Sequence, residues 1–247
     1  MFLLNKNKFL VFGHRGAPTF AQENTLLSFK KAIEFGVRAI ELDVHLTKDE
    51  QVIVFHDFNL IRLADRKDEI ENLKYDQIKS FDISKKWNSV HGVQHIPLLT
   101  EVIDLLKPSN IIINIEIKSK RLIPTKIVEL VNDIIVENEI ENKCIVSSFN
   151  PFIVRKIKKV NSNIFSSLIW SNKGVPIYYK FYKISFFISK PDGFHADKSY
   201  VNSNIIRWAR SKNMHIFLFT VNDKEEFENF KNKDINGVFT DNPKEIK

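Results

Sequence analysis

The chain has 247 residues, a formal net charge of +7, and contents of 43% hydrophobic and 27% charged residues. These values are typical of a soluble globular protein with a sizeable core. The lysines and arginines do not form a dense block with interleaved aromatic residues, which argues against a nucleic-acid partner. No stretch of about 18 apolar residues occurs, so stable membrane insertion is not expected.

The cysteine content and the N-terminal residues both indicate a reducing location. Cys144 is the single cysteine, so no intrachain disulfide can form, and its apolar surroundings predict a buried strand position rather than a nucleophile. Lys6 and Lys8 interrupt the apolar run at the N-terminus, which argues against a secretory leader. We therefore expect a cytoplasmic protein.

Short apolar runs rich in β-branched residues recur along the chain and alternate with helical patterns. This alternation predicts a parallel α/β fold. Helices are expected between most of the runs, among them Thr25–Phe35, Ile127–Val136 and Asn202–Lys212. Nine strands are predicted, at Phe9–Gly13, Arg38–Val44, Val52–Phe55, Ile111–Ile117, Lys143–Ser147, Ile164–Ile169, Asp192–His195, His215–Thr220 and Gly237–Thr240.

The lengths of the connections indicate how these strands are arranged. A parallel crossover needs about a dozen residues, and only His45–Gln51 separate the second run from the third. Val52–Phe55 should therefore fold back on Arg38–Val44 as an antiparallel hairpin. The other eight strands predict a (β/α)8 TIM barrel that occupies residues 1–247 as one domain. Residues 57–110 are interpreted as an insertion over the C-terminal mouth of the barrel.

Three carboxylates are predicted to meet at this mouth. Glu41 and Asp43 lie two residues apart on one strand, so they share a face, and Glu116 repeats the pattern together with Lys118. Inward carboxylates on buried strands repel one another, and a divalent cation would relieve that repulsion. Hard oxygen ligands favour one Mg²⁺ or Ca²⁺. The alternatives are a solvated strand face and a structural Glu116–Lys118 pair.

Two histidines are expected beside these carboxylates. His14 ends the first barrel strand, and the hairpin places His56 next to Asp43. Paired imidazoles suit general acid–base catalysis near neutral pH. Arg15 is suited to gripping a phosphoryl oxygen. Glu23 is expected to reach back to Arg15 or to a histidine, and either Asn24 or Thr25 to cap the first helix, with capping alone as the alternative. The remaining histidines are interpreted as surface or pocket-wall residues.

These residues belong to an ordered series of motifs that resembles the bacterial glycerophosphodiester phosphodiesterases. The series runs from Gly13-His-Arg-Gly-Ala17 and Glu23-Asn-Thr25 through Ile40-Glu-Leu-Asp-Val44, Thr47-Lys-Asp49 and Val54-Phe-His-Asp57. It continues through Ile96-Pro-Leu-Leu-Thr-Glu-Val102, Asn114-Ile-Glu-Ile-Lys118, Ser147-Ser-Phe149, Phe219-Thr-Val-Asn222 and Thr240-Asp-Asn-Pro243. The ordered set covers nearly the whole chain and is far more specific than any one motif.

The resemblance implies a role for each group of site residues. It implies metal ligands at Glu41, Asp43 and Glu116, an acid–base pair at His14 and His56, phosphate contacts from Arg15 and Lys118, a pocket lined by Phe149, Phe219 and Asn222, and support from Glu23, Asn24 and Asp57. The chain departs from the family at Phe219, where tryptophan is usual, and at Arg62-Leu-Ala64, where an Arg-Thr-Thr run is common. Both departures bear on the pocket that receives the leaving group.

The expected reaction is metal-dependent hydrolysis of a small glycerophosphodiester to sn-glycerol 3-phosphate and an alcohol, through a cyclic phosphate. One alternative is a lysophospholipase D or phospholipase-type activity at the same site. It would need an apolar entrance, for which only Ile177–Ile188 is a candidate, and we expect that segment to pack as an amphipathic helix. A second alternative is a non-catalytic barrel, which would lack a ligand or a histidine. A homodimer is left open.

Overall fold

The computed structural model describes residues 9–246 and contains the nine strands expected from the sequence. They are β1 (Leu10–Gly13), β2 (Ala39–Leu46), β3 (Val52–Val54), β4 (Ile112–Ile117), β5 (Cys144–Ser148), β6 (Phe165–Trp170), β7 (Gly193–Asp197), β8 (His215–Phe219) and β9 (Gly237–Thr240). All except β3 pair in parallel, and β1 bonds to both β2 and β9, which closes an eight-stranded barrel. The predicted TIM barrel is confirmed. The expected absence of a leader rests on residues 1–8, which lie outside the described part.

Helices cover the outside of the barrel and fill the insertion. They are α1 (Leu26–Glu34), α2 (Ile61–Ala64), α3 (Tyr75–Ile78), α4 (Asn88–His91), α5 (Leu99–Leu106), α6 (Ile127–Glu137), α7 (Pro151–Val160), α8 (Tyr182–Ser189), α9 (Ser203–Ser211) and α10 (Lys224–Lys231). Short 3-10 turns lie at Ile70–Asn72, Lys85–Trp87, Glu141–Lys143 and Ile177–Lys180. Side chains start several of the helices, since Thr25, Asn150, Asn202 and Asp223 each accept a backbone N–H of the first turn. None of the helices described within residues 9–246 could span a bilayer.

The hairpin forms as predicted and determines where the second histidine lies. β3 runs antiparallel to β2, with Val44 opposite Val54, and the N–H of Phe55 donates to the carbonyl of Asp43 at 2.9 Å. These hydrogen bonds set the register between β2 and β3, so the residue that follows Phe55 lies at the C-terminal end of the inward face of β2 near Asp43. His56 therefore reaches the barrel mouth beside Asp43.

The insertion is shorter than predicted. Its helices α2, α3 and α4 precede a segment that leads into α5, and a small apolar core that includes Phe55, Leu60 and Ile70 lies beneath it. Helix α5 belongs instead to the main core, because Val102 and Leu106 pack with the outward side chains of β2 and β4. The structure differs from the expected bound near residue 110, because α5 packs in the main core as the helix that connects the β2–β3 hairpin to β4.

The inward side chains change from apolar to charged along the barrel strands. On β2 the sequence is Ala39, Glu41 and Asp43, and on β4 it is Ile112, Asn114 and Glu116. The lower level is filled by aromatic rings, among them Phe12, Phe217 and Phe239, with Phe12 and Phe239 stacked 4.6 Å apart. This apolar level excludes water from below, so polar groups gather only at the C-terminal mouth.

Candidate active site

The three predicted carboxylates lie together at the mouth. Glu41 and Asp43 are 2% and 1% exposed, and one oxygen from each of Glu41, Asp43 and Glu116 falls within a mutual distance of 4.8 Å. The parallel register explains this, since Asp43 is opposite Glu116 across β2 and β4. Burial, reinforced by the charges of Asp43 and Glu116, raises the pKa of Glu41 well above its usual range.

Two cations flank the carboxylates and prevent the whole cluster from becoming neutral by protonation. The ammonium of Lys118 lies 2.8 Å from Glu116 and 3.4 Å from Asp43, and Nε of Arg15 lies 3.3 Å from Asp43. Burial would raise the pKa of Asp43, but these cations outweigh it and hold the pKa well below its usual range. Asn24 adds a hydrogen bond from its amide to Asp43 at 2.8 Å.

The donor set fits a divalent cation. Oε1 of Glu41 is buried and accepts no hydrogen bond from any described residue, and Oδ1 of Asp43 also accepts none, although the ammonium of Lys118 lies 3.4 Å from it. A buried oxygen without a hydrogen bond is costly. The carboxylates exceed the two adjacent cationic side chains by one charge. A divalent cation and a singly charged phosphodiester would together bring the cluster to neutrality. All the candidate donors are hard oxygens, which Mg²⁺ and Ca²⁺ prefer.

His14 is oriented by Asp241, which directly follows the last barrel strand. Its Nδ1 lies 2.7 Å from Oδ1 of Asp241, while its Nε2 points inward, 3.9 Å from Glu41. Burial would raise the pKa of Asp241, but the hydrogen bond and charge of His14, the hydrogen bond from Asn222 and the charge of Arg15 together lower it. An ionised carboxylate can only accept, so Nδ1 of His14 donates to Asp241 and Nε2 is the ring nitrogen that faces the site.

His56 has the same arrangement with a different partner. Its Nδ1 lies 2.6 Å from Oδ1 of Asp57. Burial would raise the pKa of Asp57, but hydrogen bonds from His56 and Arg62 lower it far more. The guanidinium of Arg62 also donates to both oxygens of Glu23, at 2.9 and 2.6 Å, and Glu23 in turn accepts from Arg15 at 2.9 Å. Arg62 thus links the supports of His56 and Arg15.

The site opens into a cavity of about 270 Å³. Phe149 and Phe219 line one side, with their rings in an edge-to-face contact at 6.4 Å, and His195 lines another. Asn222 differs from the expectation, because it is not among the side chains that line this cavity. Its amide donates to Asp241 at 2.7 Å and its Oδ1 accepts the Asp241 N–H at 2.8 Å. Asn222 therefore holds the partner of His14.

The turn after β1 shapes the approach to the carboxylates. Arg15 has φ 53° and Asn24 has φ 56°, a backbone region that non-glycine residues seldom adopt. The strain directs the Arg15 N–H onto Oε2 of Glu41 at 2.8 Å. Gly16 has φ 90°, and a Cβ there would lie 2.5 Å from Oγ of Ser28. Close packing on α1 requires this glycine. Thr25, not Asn24, is the cap of α1.

The other histidines serve varied purposes. His45 is buried and its Nε2 contacts the carbonyl of His56 at 3.0 Å, and burial lowers its pKa to about 4. His195 is 1% exposed, and burial lowers its pKa to about 3. His91 joins the insertion to the loop after β1 through the carbonyl of Phe20 at 2.9 Å. Cys144 is buried as expected, and burial raises the pKa of its thiol.

Comparison with known proteins identifies the family. The model of the glycerophosphoryl diester phosphodiesterase family matches residues 14–245. The chain belongs to this family. Relatives named glycerophosphodiester phosphodiesterase include one from Caldanaerobacter subterraneus subsp. tengcongensis, 29% identical over 239 residues that cover 97% of this chain and 96% of that one. Another, from Bacillus altitudinis, is 30% identical over 245 residues that cover 94% of each chain.

Solved structures show the same fold. A phosphodiesterase from Oleispira antarctica, determined in complex with the product sn-glycerol-3-phosphate, superposes with a TM-score of 0.83 at 23% identity and covers 96% of this chain and 94% of that one. The family model and the two relatives confirm the resemblance of the motifs to glycerophosphodiester phosphodiesterases.

The sequence reasoning missed two residues of this glycerophosphoryl diester phosphodiesterase site. Asp241 stood in a recognised motif without a role, and Arg62 was noted only as a departure from the common pattern. Each is an ordinary charged residue in a loop, and only its distance to a histidine or to that histidine's carboxylate partner reveals what it contacts.

Proposed function

We propose that the chain hydrolyses small glycerophosphodiesters to sn-glycerol 3-phosphate and an alcohol. The observation that carries the proposal is the pair of His–Asp contacts, His14–Asp241 and His56–Asp57, on either side of three clustered carboxylates. Two oriented imidazoles can remove one proton and deliver another in a single displacement. Family membership supports the same reaction class.

The cluster of Glu41, Asp43 and Glu116 would hold one Mg²⁺ or Ca²⁺. When bound, such an ion supplies charge stabilisation at the phosphoryl oxygens and lowers the pKa of a coordinated hydroxyl. Arg15 and Lys118 sit against the same carboxylates and present donors toward the cavity. They neutralise charge that develops on the phosphoryl group.

The reaction would proceed in two steps that use the same histidines. One imidazole accepts the proton of the glycerol 2-hydroxyl through its free Nε2 while that oxygen attacks phosphorus. The other imidazole, in its protonated form, donates to the departing alcohol oxygen. The P–O bond to the alcohol breaks and a cyclic phosphate forms. Water then opens the ring with the two imidazole roles exchanged, and both histidines return to their starting states.

The apolar side of the cavity favours a small organic group. Phe149 and Phe219 offer ring faces and carry no hydrogen-bond donor. Because Phe219 replaces the usual tryptophan, the wall retains its apolar surface without an indole N–H. We infer that this wall contacts carbon atoms of the substrate and discriminates little between polar head groups.

The test is release of glycerol 3-phosphate from glycerophosphocholine, followed with and without a chelator. We expect turnover that the chelator abolishes and that added Mg²⁺ or Ca²⁺ restores. His14→Ala and His56→Ala should each lose about 10²- to 10⁴-fold in kcat. His95→Ala is the matched control, since His95 is exposed and its ring forms a hydrogen bond with the carbonyl of Phe81, at 3.2 Å, away from the described site residues. Chelator-resistant turnover, or near-normal turnover of His56→Ala, would contradict the proposal.

A further inference from the structure

The segment between β6 and β7 exposes apolar side chains where a barrel normally exposes polar ones. Exposure is 71% for Ile177, 47% for Tyr178, 54% for Phe181, 58% for Ile184 and 64% for Phe187. The sequence-based expectation was that this segment would pack as an amphipathic helix. The helix is present as α8, but its outward flank is apolar. Contiguous exposed apolar surface of this kind marks an interaction site.

The inward flank of α8 shows why the apolar flank faces outward. Ser185 and Ser189 are buried on the side that packs against α7, and small side chains allow that close approach. The rings of Tyr182 and Phe186 lie 4.8 and 5.4 Å from the ring of Trp208. These contacts fix the rotation of the helix, so Ile184 and Phe187 cannot turn inward without breaking them.

The same segment carries only positive charge. Lys173, Lys180, Lys183 and Lys190 are all exposed, and residues 171–190 contain no aspartate or glutamate. Within the described chain none of these four lysines is in an ion pair with a carboxylate. The apolar–basic face, residues 173–190, therefore combines aliphatic and aromatic side chains with unpaired ammonium groups. Aromatic and basic side chains are the types that segments at a membrane interface use.

This face borders the catalytic mouth. A single cavity of about 640 Å³ is lined both by His56 and Lys118 of the site and by Pro176, Tyr178 and Tyr179 of this segment. The segment follows the C-terminal end of β6, which is the end of the barrel where the site lies. A surface that covered the apolar–basic face would therefore lie beside the entrance to the site.

We propose that the apolar–basic face docks reversibly on an anionic lipid bilayer. The charge of the face favours this occupant over a second copy of the chain. In a symmetric dimer the same four lysines would face one another and repel. Lysine beside an anionic bilayer is attracted instead, by about 1 kcal/mol per residue, which is roughly a fivefold gain in binding. The exposed rings and aliphatic groups would enter the head-group region, while the lysines contact lipid phosphates.

Docking is tested by co-sedimentation of the full chain with vesicles and without substrate, so the outcome is independent of hydrolysis. Vesicles of phosphatidylcholine alone are compared with an equimolar mixture of phosphatidylcholine and phosphatidylglycerol. We expect binding to the mixed vesicles only, weakened when the salt concentration is raised about tenfold. Ile184→Ser/Phe187→Ser and Lys180→Glu/Lys183→Glu should each reduce binding by about tenfold or more.

Matched controls come from the opposite end of the barrel. Val136→Ser/Val160→Ser removes apolar groups that are 42% and 43% exposed near the C-terminal ends of α6 and α7. Lys159→Glu/Lys212→Glu makes the same change in net charge on exposed lysines. We expect both to bind vesicles as the wild type does, and all four variants to hydrolyse glycerophosphocholine in solution at the wild-type rate.

Three outcomes would overturn the proposal. The first is the absence of vesicle binding by the wild-type chain. The second is an equal loss of binding in the control pairs, which would indicate only a general charge effect. The third is a dimer in solution that Ile184→Ser/Phe187→Ser dissociates, without vesicle binding, which would assign the face to a second copy. Because Lys180→Glu/Lys183→Glu changes only exposed groups, it keeps the test decisive even if the serine variant folds poorly.

Discussion

Replacing Glu41 by glutamine should stabilise the metal-free protein while it removes the function. The substitution keeps the size of the side chain and an oxygen that can accept the Arg15 N–H, which donates to Glu41 at 2.8 Å. It removes one of three negative charges whose oxygens lie within 4.8 Å of one another. The three carboxylates would bind the ion, but they would lower the stability of the fold when no ion is present.

The distance sets the magnitude of this effect. Two unit charges 4.8 Å apart repel by about 3 kcal/mol at an effective dielectric constant of about 20. Glu41 has two such neighbours, and Arg15 offsets part of the repulsion. We therefore expect the free energy of unfolding to rise by about 2 kcal/mol, or roughly 4 to 8 °C in Tm.

The raised pKa of Glu41 determines how its contribution to the free energy of unfolding changes with pH. A carboxyl whose pKa is higher in the folded state stabilises the fold below its unfolded pKa, and that stability is lost as pH rises through the folded pKa. Above the folded pKa the metal-free chain lacks this contribution, and Glu41→Gln, which cannot ionise, is expected to keep it.

The assay is thermal unfolding in a chelator and then in Mg²⁺ or Ca²⁺. In the chelator we expect Glu41→Gln to melt above the wild type. With the cation we expect only the wild type to gain stability, by mass action, so that the order reverses. Glu137→Gln is the control, since Glu137 is exposed on α6 and loses the same charge. A variant less stable than the wild type in chelator, or equally stabilised by the cation, would refute the reasoning.

Three further predictions follow from the contacts around the site. Asp241→Asn should lower kcat by roughly 100-fold or more and change the pH–rate profile, because His14 loses the carboxylate that fixes its tautomer; unchanged kinetics would exclude that role. Arg62→Ala should lower turnover about tenfold by freeing the two carboxylates that it bridges, and Arg62→Lys should recover only part, since an ammonium lacks the fork of donors. Burial lowers the pKa of His195 to about 3, so the unfolded chain takes up a proton below about 6.5 and stability falls as pH decreases. Between a pH of about 7.5 and a pH of about 5, the free energy of unfolding in urea should fall by about 2 kcal/mol less for His195→Gln than for the wild type. An equal fall in both proteins would contradict the view that His195 is buried in its neutral form.

The barrel was predictable from the sequence because its strands repeat one strong pattern. Buried parallel strands are nearly continuous apolar runs, and those around Ile113 and Val146 stand out against helical stretches. The hairpin followed from the short connection at His45–Gln51, and β3 pairs where that length requires. The three carboxylates were predictable for the same reason, since the two-residue period of a strand determines which side chains share a face.

Contacts between loops that are distant in sequence could not be predicted. Asp241 lies 227 positions from His14, and Arg62 lies 39 positions from Glu23, and no periodicity connects them. The boundary at α5 was misplaced because its apolar pattern suits a packed helix in either an insertion or a barrel. The exposed flank of α8 was also missed, because apolar periodicity tells which residues share a flank but not which flank faces the core.

The contact between His14 and Asp241 joins the first and last strands of the barrel. During translation His14 is made near the start of this domain and Asp241 near its end. Until β9 emerges and pairs with β1, Nδ1 of His14 lacks its Asp241 partner and the barrel has an open seam. On the proposed mechanism a partly synthesised chain would not hydrolyse its substrate, so we expect activity to report closure of the barrel. A chain terminated before Asp241 should therefore show no turnover even where its helices form.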